Sequence, residues 1–118
     1  MWQVEYTDEF GQWWDTLDEA QQEAIARSVE LLRQLGPSLG RPHVDGIKGS
    51  KYSNMKELRT QMAGHPLRTL FAFDPRRTAI LLIGGDKTGD DRFYERMIPM
   101  ADNLYEIYLE ELRKEGLI

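Results

Sequence analysis

A short, strongly hydrophobic segment, Thr78 to Ile83, most constrains the fold of this chain; it reads T-A-I-L-L-I and is followed by two glycines. An apolar run of this length, bounded by turn residues, is typical of a strand that is covered on both faces. Two preceding segments, Met55 to Met62 and Leu67 to Phe73, also have the residue pattern of strands. Because Asp74-Pro75-Arg76-Arg77 predicts a type I turn before the hydrophobic strand, these segments predict an antiparallel β-meander.

The N-terminal third of the chain predicts a strand followed by two helices. Trp2 to Tyr6 alternates between apolar and polar residues, whereas Thr7 to Leu35 has apolar residues at helical spacing. N-caps are expected at Thr7 and Asp18, and Gly36-Pro37 should end the second helix. The segment therefore predicts a helical hairpin.

The rest of the chain predicts loops and one more helix. Residues 36–54 contain several glycines and prolines and predict a long loop, in which Val44 to Lys48 could form a short strand. Gly84 to Gly89 should form a glycine-rich loop after the hydrophobic strand, although its spacing differs from that of a Walker-type phosphate-binding loop. Asp91 should open a C-terminal helix that Pro99 kinks or restarts.

The expected fold class is α+β, with an N-terminal strand and helical hairpin, an antiparallel β-meander of about four strands and a C-terminal helix. A chain of 118 residues has room for one core, so residues 1–118 should form a single domain. The absence of cysteine excludes disulfides, thiolate nucleophiles and cysteine-based zinc sites. The N-terminus lacks the pattern of a signal peptide and no apolar run could span a membrane, so we expect a cytoplasmic protein without a membrane partner.

The charges of the chain are distributed unevenly. The net charge of −5 by itself argues against a nucleic-acid partner. Between Arg41 and Arg77, however, there are eight basic and three acidic residues, a balance of +5, and the remainder of the chain carries −10. This asymmetry is compatible with a surface that faces an anionic partner on an otherwise acidic protein.

Several basic residues are predicted on or beside adjacent strands of the meander: Lys56, Arg59, Arg68 and Lys87, with Tyr94 just beyond. If Arg59 and Arg68 lie on one face of the sheet, they form an anion-binding surface that Lys87 can close. Guanidinium groups hold phosphate oxygens bidentately and offset the charge that develops during phosphoryl transfer. A tyrosine can stack on a base or move a proton.

The order of these motifs resembles that of the RelE/ParE superfamily of toxins, and most closely its HigB-like branch. The resemblance is carried by Met55-Lys56-Glu57-Leu58-Arg59, by Leu67 to Asp74, by the hydrophobic strand that leads into Gly85-Asp86-Lys87-Thr88, and by Ala101 on the last helix. It covers nearly the whole chain, because the helical hairpin, the meander and the closing helix occur in the same order in that superfamily.

The resemblance implies the toxin of a type II toxin-antitoxin pair. It implies a ribosome-dependent endoribonuclease that cuts mRNA in the A site, in which the ribose 2′-hydroxyl attacks the neighbouring phosphate without a metal or other cofactor. It further implies a neighbouring antitoxin with a helix-turn-helix domain, so that DNA is contacted only indirectly, through the antitoxin.

Roles follow from the resemblance by position. Arg68 matches the arginine that contacts the scissile phosphate, and Lys87 matches a basic residue that stabilises developing charge. Tyr94 matches a tyrosine that stacks on the message, and Arg59 matches the arginine of the Leu-Arg motif. Further RNA contacts are expected from four basic residues of the central segment: Lys48, Lys51, Lys56 and Arg76.

One departure from the RelE pattern leaves alternatives open. Glu57 stands where RelE has a lysine, and Lys56, one position earlier, should face the other side of the strand. Glu57 and Asp86 could act as bases, but ion pairs with Arg59 or Arg68 are the favoured interpretation, and His43 and His65 are interpreted as exposed loop and turn residues. The alternatives are a ParE-like inhibitor of DNA gyrase, an inactive relative that acts by binding, and a non-toxic interaction module.

Overall fold

The computed structural model describes residues 1–118 and has the predicted α+β composition. Its elements are, in chain order, β1 (Val4–Tyr6), α1 (Asp8–Asp15), α2 (Glu19–Leu35), a 3-10 turn (Gly36–Ser38), β2 (Val44–Gly46), β3 (Lys56–Met62), β4 (His65–Phe73), β5 (Ala79–Asp86) and α3 (Phe93–Lys114). No helix among them has the length and apolar composition that crossing a membrane requires.

The five strands form one sheet in the order β1-β5-β4-β3-β2. Strands β2 to β5 are joined as the predicted antiparallel meander. The N-terminal strand β1 returns to the opposite edge and pairs with β5 in parallel, with Val4 opposite Ala79. The sheet is therefore mixed, and the hydrophobic strand β5 lies inside it.

Helices cover both faces of the sheet, as the apolar pattern of β5 predicts. On one face, Ala79 and Leu81 pack with the apolar residues of α1 and α2. On the other face, Ile80 and Leu82 pack against α3. The polar groups described below lie at the margin of this second face, where α3 begins.

The predicted helix ends agree with the structure at three points. The Thr7 hydroxyl accepts a hydrogen bond of 3.0 Å from the Phe10 N–H, and Asp18 forms a capping box with Gln21. Helix α2 ends at Gly36, whose φ of +55° suits glycine. Helix α3 instead runs without a break through Pro99, so the restart is not found; buried Ile98 and Ala101 on either side hold both halves against the sheet.

The two glycines after the hydrophobic run belong to the strand and not to a loop, which corrects the sequence prediction. Strand β5 continues through Gly84 and Gly85 to Asp86. Aromatic rings pack directly against this backbone. A β-carbon at Gly84 would overlap the ring of Trp13 from α1, and one at Gly85 would lie 2.8 Å from Phe93 of α3. Glycine is therefore required here by close packing between helix and strand.

Candidate active site

Arg59 and Arg68 stand directly opposite each other on β3 and β4, so their side chains share one face of the sheet, which is the condition for the anion-binding surface. Two cations in this position repel each other unless an anion separates them. Glu57 supplies that anion from the same face of β3. Its Oε2 lies 3.0 Å from Arg59 Nη2 and accepts a hydrogen bond of 3.1 Å from Arg59 Nε, while its Oε1 lies 3.6 Å from Arg68 Nε.

Glu57 is buried, although the alternation of β3 predicts that it points outward. Glu57 lies on the face opposite Leu58, and Leu58 is buried on the face that α1 and α2 cover. That opposite face, however, is covered by the beginning of α3, and only 4% of the Glu57 side chain is exposed. The interpretation of Glu57 as an ion-pair partner of the arginines agrees with this geometry.

Tyr94 connects α3 to this cluster. Its hydroxyl donates a hydrogen bond of 2.5 Å to Glu57 Oε1. Burial of the phenol, together with the hydrogen bond to the Glu57 carboxylate and its negative charge, raises the pKa of Tyr94 above its ordinary value. The phenol therefore keeps its proton at neutral pH.

Lys87 lies over the ring of Tyr94, with its Nζ 5.1 Å from the ring centroid. This distance is within the range of a cation–π interaction. The backbone is fixed at the same point, because the Lys87 N–H donates to the Pro66 carbonyl at 3.0 Å. Lys87 is thus held at the end of β5, on the side of the sheet from which Tyr94 approaches.

Asp86 anchors the loop that carries Lys87. It accepts hydrogen bonds from the Thr88 hydroxyl at 2.6 Å and the Thr88 N–H at 2.9 Å, and its Oδ2 lies 2.8 Å from His65 Nδ1. Burial raises the pKa of Asp86, but the hydrogen bonds from Thr88 and His65 outweigh it and leave that pKa below its usual value. His65 is exposed, as predicted, and is also a partner of this anchor.

Arg68 has one donor without an acceptor. Its Nη1 donates to the Leu67 carbonyl at 3.1 Å, but its Nε is buried and makes no hydrogen bond, because Glu57 Oε1 is too distant at 3.6 Å. A buried, charged donor of this kind is costly unless an acceptor reaches it. The Nε is closed off from solvent, so a bound anion would meet Arg68 through the 12% of its side chain that is exposed.

The structure thus brings together the four residues predicted as catalytic: Arg59, Arg68, Lys87 and Tyr94. The two arginines and the phenol meet at the buried Glu57 carboxylate, Lys87 lies over the phenol ring, and Arg59 also pairs with Asp45 at 3.2 Å. Such a group of side chains can bind a phosphate and offset the negative charge that grows on it. No set of three or more histidine, aspartate or glutamate side chains is arranged to hold a metal ion.

The four residues predicted as further RNA contacts lie elsewhere. Lys56 stands opposite Phe71, on the α2 face, as its position one residue before Glu57 predicts. Lys48 and Lys51 lie in the loop before β3, which is tied to the middle of α3 because Asp102 accepts from the Lys51 N–H at 2.9 Å. None of these lysines contacts the cluster.

Arg76 lies in the turn between β4 and β5, at the end of β4 away from Arg68. It pairs with Asp74 at 3.1 Å and Glu5 at 3.3 Å, and it donates to the Tyr108 hydroxyl at 2.8 Å. Its guanidinium is occupied by these intramolecular partners.

Two members of the site were not assigned a central part from sequence. Glu57 could have been placed there by strand alternation, because it shares a face with Arg59. No local sequence pattern indicates the role of Asp86, because that role depends on contacts with His65 and Thr88 at the end of β5.

Comparison with known proteins places this chain in a family. Residues 12–106 match the family described as "Phage derived protein Gp49-like (DUF891)". The chain belongs to this Gp49-like family. It is 47% identical over 98 residues to "Putative toxin HigB3" of Mycobacterium tuberculosis, covering 82% of this chain and 84% of that protein. It is also 41% identical over 101 residues to "Putative toxin HigB2" of the same organism, covering 84% of this chain but half of that longer protein.

Solved structures show the same fold for this Gp49-like chain. The isolated E. coli RelE toxin superposes with a TM-score of 0.59 at 8% identity, covering 82% of this chain and 96% of RelE. A chain of the archaeal RelE-RelB complex from Pyrococcus horikoshii gives a TM-score of 0.54 at 12% identity, covering 75% and 97%. The sequence-based recognition of a HigB-like toxin of the RelE superfamily is confirmed.

Proposed function

We propose that this HigB-like toxin is a ribosome-dependent endoribonuclease that cleaves mRNA in the ribosomal A site. The observation that carries the proposal is the grouping of Arg59 and Arg68, opposite each other on the sheet, with Lys87 and with Tyr94 at the start of α3. A phosphodiester of the message is an anion that such a group of donors can bind. Ribonuclease activity is also the expectation for RelE and HigB toxins at the family level.

The proposed reaction is attack of a ribose 2′-hydroxyl on the adjacent phosphorus. The 2′-oxygen loses its proton and forms a bond to phosphorus, the bond to the 5′-oxygen breaks, and that oxygen takes up a proton. The products are a 2′,3′-cyclic phosphate and a 5′-hydroxyl. The phosphate passes through a state with more negative charge on its oxygens, which nearby cations stabilise.

The residues would divide this work as follows. Arg68 binds the phosphate through its guanidinium and stabilises the developing charge, and Lys87 adds a second cation from the end of β5. Glu57 is engaged by Arg59 and Tyr94, so its part is to hold these groups in place. Tyr94 keeps Lys87 beside the phosphate through its ring, and the stacking of Tyr94 on a message base stays a prediction.

The partners follow from the same proposal. The ribosome and its bound message are the substrate. An antitoxin is the protein partner, as the archaeal RelE-RelB complex indicates for a chain with this fold. We expect the antitoxin to carry a helix-turn-helix domain and the toxin to contact DNA only through it. Binding of the two proteins is expected in the cytoplasm.

Mapping message ends in cells tests this function. After induction of the toxin without its neighbouring genes, new 5′ ends should appear inside translated messages and should keep a constant distance from the reading frame. Untranslated RNA in the same cells is the control and should stay intact. Growth arrest without new message ends would overturn the proposal.

A second candidate rests on Glu57, which stands where RelE has a lysine. A ParE-like inhibitor of DNA gyrase, or a relative that acts only by binding, would not need that lysine. A supercoiling assay with purified gyrase separates the two: the proposed ribonuclease leaves supercoiling unchanged, whereas a ParE-like protein inhibits it while messages remain whole.

A further inference from the structure

A groove that contains arginine and no acidic residue lies between α2 and the edge of β3. Its volume is about 560 Å³, and the charged or titratable side chains that line it are Arg27, His43, Arg59 and Arg68. A groove at the other edge of the sheet has the opposite character and is lined by Glu5, Asp8, Glu9 and Glu111. In a chain of net charge −5, the first groove is therefore a local site for anions.

The groove exists because β2 is short. Strand β2 pairs with β3 only from Lys56 to Leu58, so the outer edge of β3 has no neighbouring strand from Arg59 onward. Helix α2 borders the open edge and is tied to it by a hydrogen bond of 2.8 Å from the Thr60 hydroxyl to the Ser28 hydroxyl. Both walls are regular, packed elements.

Arg27 is the arginine of the groove that makes no ion pair, whereas Arg59 and Arg68 are both close to Glu57. Arg27 is exposed on α2, next to Ser28. Arg33 on the same helix differs, because it pairs with Glu30 at 3.4 Å and does not line the groove. Arg27 is therefore free to bind a ligand, and Arg33 offers a matched comparison.

We propose that this groove binds the sugar-phosphate backbone of the RNA strand next to the cleaved phosphodiester, with Arg27 contacting a flanking phosphate. The inference rests on the proposed ribonuclease function. Arg68 carries the connection, because it lines the groove and also belongs to the cluster with Glu57 and Arg59. A strand whose phosphate binds Arg68 continues directly into the groove.

The lining favours a nucleic-acid backbone over an acidic protein segment. Only two of its ten residues are hydrophobic, so it offers few of the apolar pockets that anchor protein segments. Arginine guanidinium groups bind phosphate oxygens bidentately. No carboxylate lines the groove itself; Asp45 and Glu57 lie beside it, each paired with Arg59.

Binding of a short single-stranded 2′-O-methyl oligoribonucleotide, which cannot be cleaved, tests the proposal. The variants are Arg27→Gln and, as a control with the same loss of charge on the same helix, Arg33→Gln. Arg27→Gln should weaken binding by about three- to tenfold and make the slope of log affinity against log salt shallower by about 0.7, the value for one phosphate on a single strand. Arg33→Gln should keep the wild-type slope.

Cleavage of ribosome-bound message supplies a second readout. Arg27→Gln should raise KM and leave kcat unchanged, because Arg27 does not touch the reacting phosphate. Equal RNA affinity and equal KM in wild type and Arg27→Gln would overturn the assignment of the groove to RNA. Weaker binding of the antitoxin by Arg27→Gln, with unchanged RNA affinity, would overturn it as well. If Arg27→Gln weakens oligonucleotide binding but the wild-type protein never cleaves message, the groove is an RNA-binding site and the proposed ribonuclease function is wrong.

Discussion

Tyr94 donates a hydrogen bond of 2.5 Å to the buried carboxylate of Glu57, and this bond joins the start of α3 to β3 where Arg59 and Arg68 face each other. The same carboxylate holds Arg59 and lies 3.6 Å from Arg68 Nε. This acidic side chain thereby lies next to two cations and a phenol, and Asp45 also holds Arg59, at 3.2 Å. Removing Glu57 should disturb stability and activity together.

Replacement of Glu57 by glutamine should lower the free energy of unfolding by about 2–4 kcal/mol. The change removes the carboxylate between Arg59 and Arg68 and leaves Arg59 with Asp45, at 3.2 Å, as its remaining acidic partner. The amide cannot replace the lost ionic contacts. Urea unfolding of the purified protein measures this loss. Glu95→Gln is the control, because Glu95 is exposed in the first turn of α3, and its effect should stay within about 0.5 kcal/mol. Equal effects of the two changes would contradict the central place of Glu57.

The hydroxyl of Tyr94 should stabilise the fold in a pH-dependent way. Because the pKa of Tyr94 is raised in the folded protein, its contribution is complete below about pH 10, the unfolded value, and is lost as the pH rises through the folded value. The difference in unfolding free energy between wild type and Tyr94→Phe should therefore shrink above about pH 10. A difference that stays constant from neutral to strongly alkaline pH would refute this interpretation of the hydrogen bond to Glu57.

Asp86 should show the opposite pH dependence. Its pKa is lowered in the folded protein, so its stabilising contribution is present above about pH 4 and is lost as the pH falls through the folded value. Asp86→Asn should be less stable than wild type at neutral pH and should approach it in acid. The exposed Asp91→Asn serves as the control and should follow the wild-type curve at every pH.

Loss of the Asp86 anchor should also reduce activity. The loop that carries Lys87 would no longer be held by Thr88 and His65, so Lys87 would be misplaced for the phosphate. We expect a lower kcat for Asp86→Asn with a smaller change in KM. An unchanged kcat would show that the loop holds Lys87 without Asp86.

Arg76 should contribute to stability and not to RNA binding. Its partners Asp74, Glu5 and Tyr108 tie the turn before β5 to β1 and α3, and the Asp74 side chain is fully buried. Arg76→Gln should lower the free energy of unfolding by about 1–3 kcal/mol. The affinity for the 2′-O-methyl oligonucleotide should remain that of wild type; weaker RNA binding with unchanged stability would assign Arg76 to the RNA surface after all.

The sequence was a good guide where a pattern depends on local geometry. The alternation of β3 puts Arg59 on the face opposite Leu58, and the register that brings Arg68 opposite Arg59 comes from the pairing of β3 with β4. The N-caps at Thr7 and Asp18 follow from side chains that satisfy free N–H groups of the first turn. The apolar run from Thr78 also identifies a strand covered on both faces, because successive apolar side chains of a strand point to opposite faces and both need burial.

The sequence was a poor guide where distant elements meet. Glu57 has the polarity of an exposed strand residue, and only the arrival of α3 with Tyr94 makes it buried. Gly84 and Gly85 have the composition of a loop, and only the rings of Trp13 and Phe93 explain why a strand needs glycine at these positions. Tertiary packing overrides local preference in both cases.

The rate of message cleavage by Arg68→Ala on purified ribosomes most directly tests the account. Single-turnover assays would compare this variant with wild type and with Arg113→Ala, which removes the same charge near the exposed end of α3. Loss of the phosphate contact should slow cleavage by about 100-fold or more, with the circular dichroism spectrum unchanged, whereas Arg113→Ala should cleave at the wild-type rate. Cleavage by folded Arg68→Ala at the wild-type rate would contradict the assignment of this cluster as the active site.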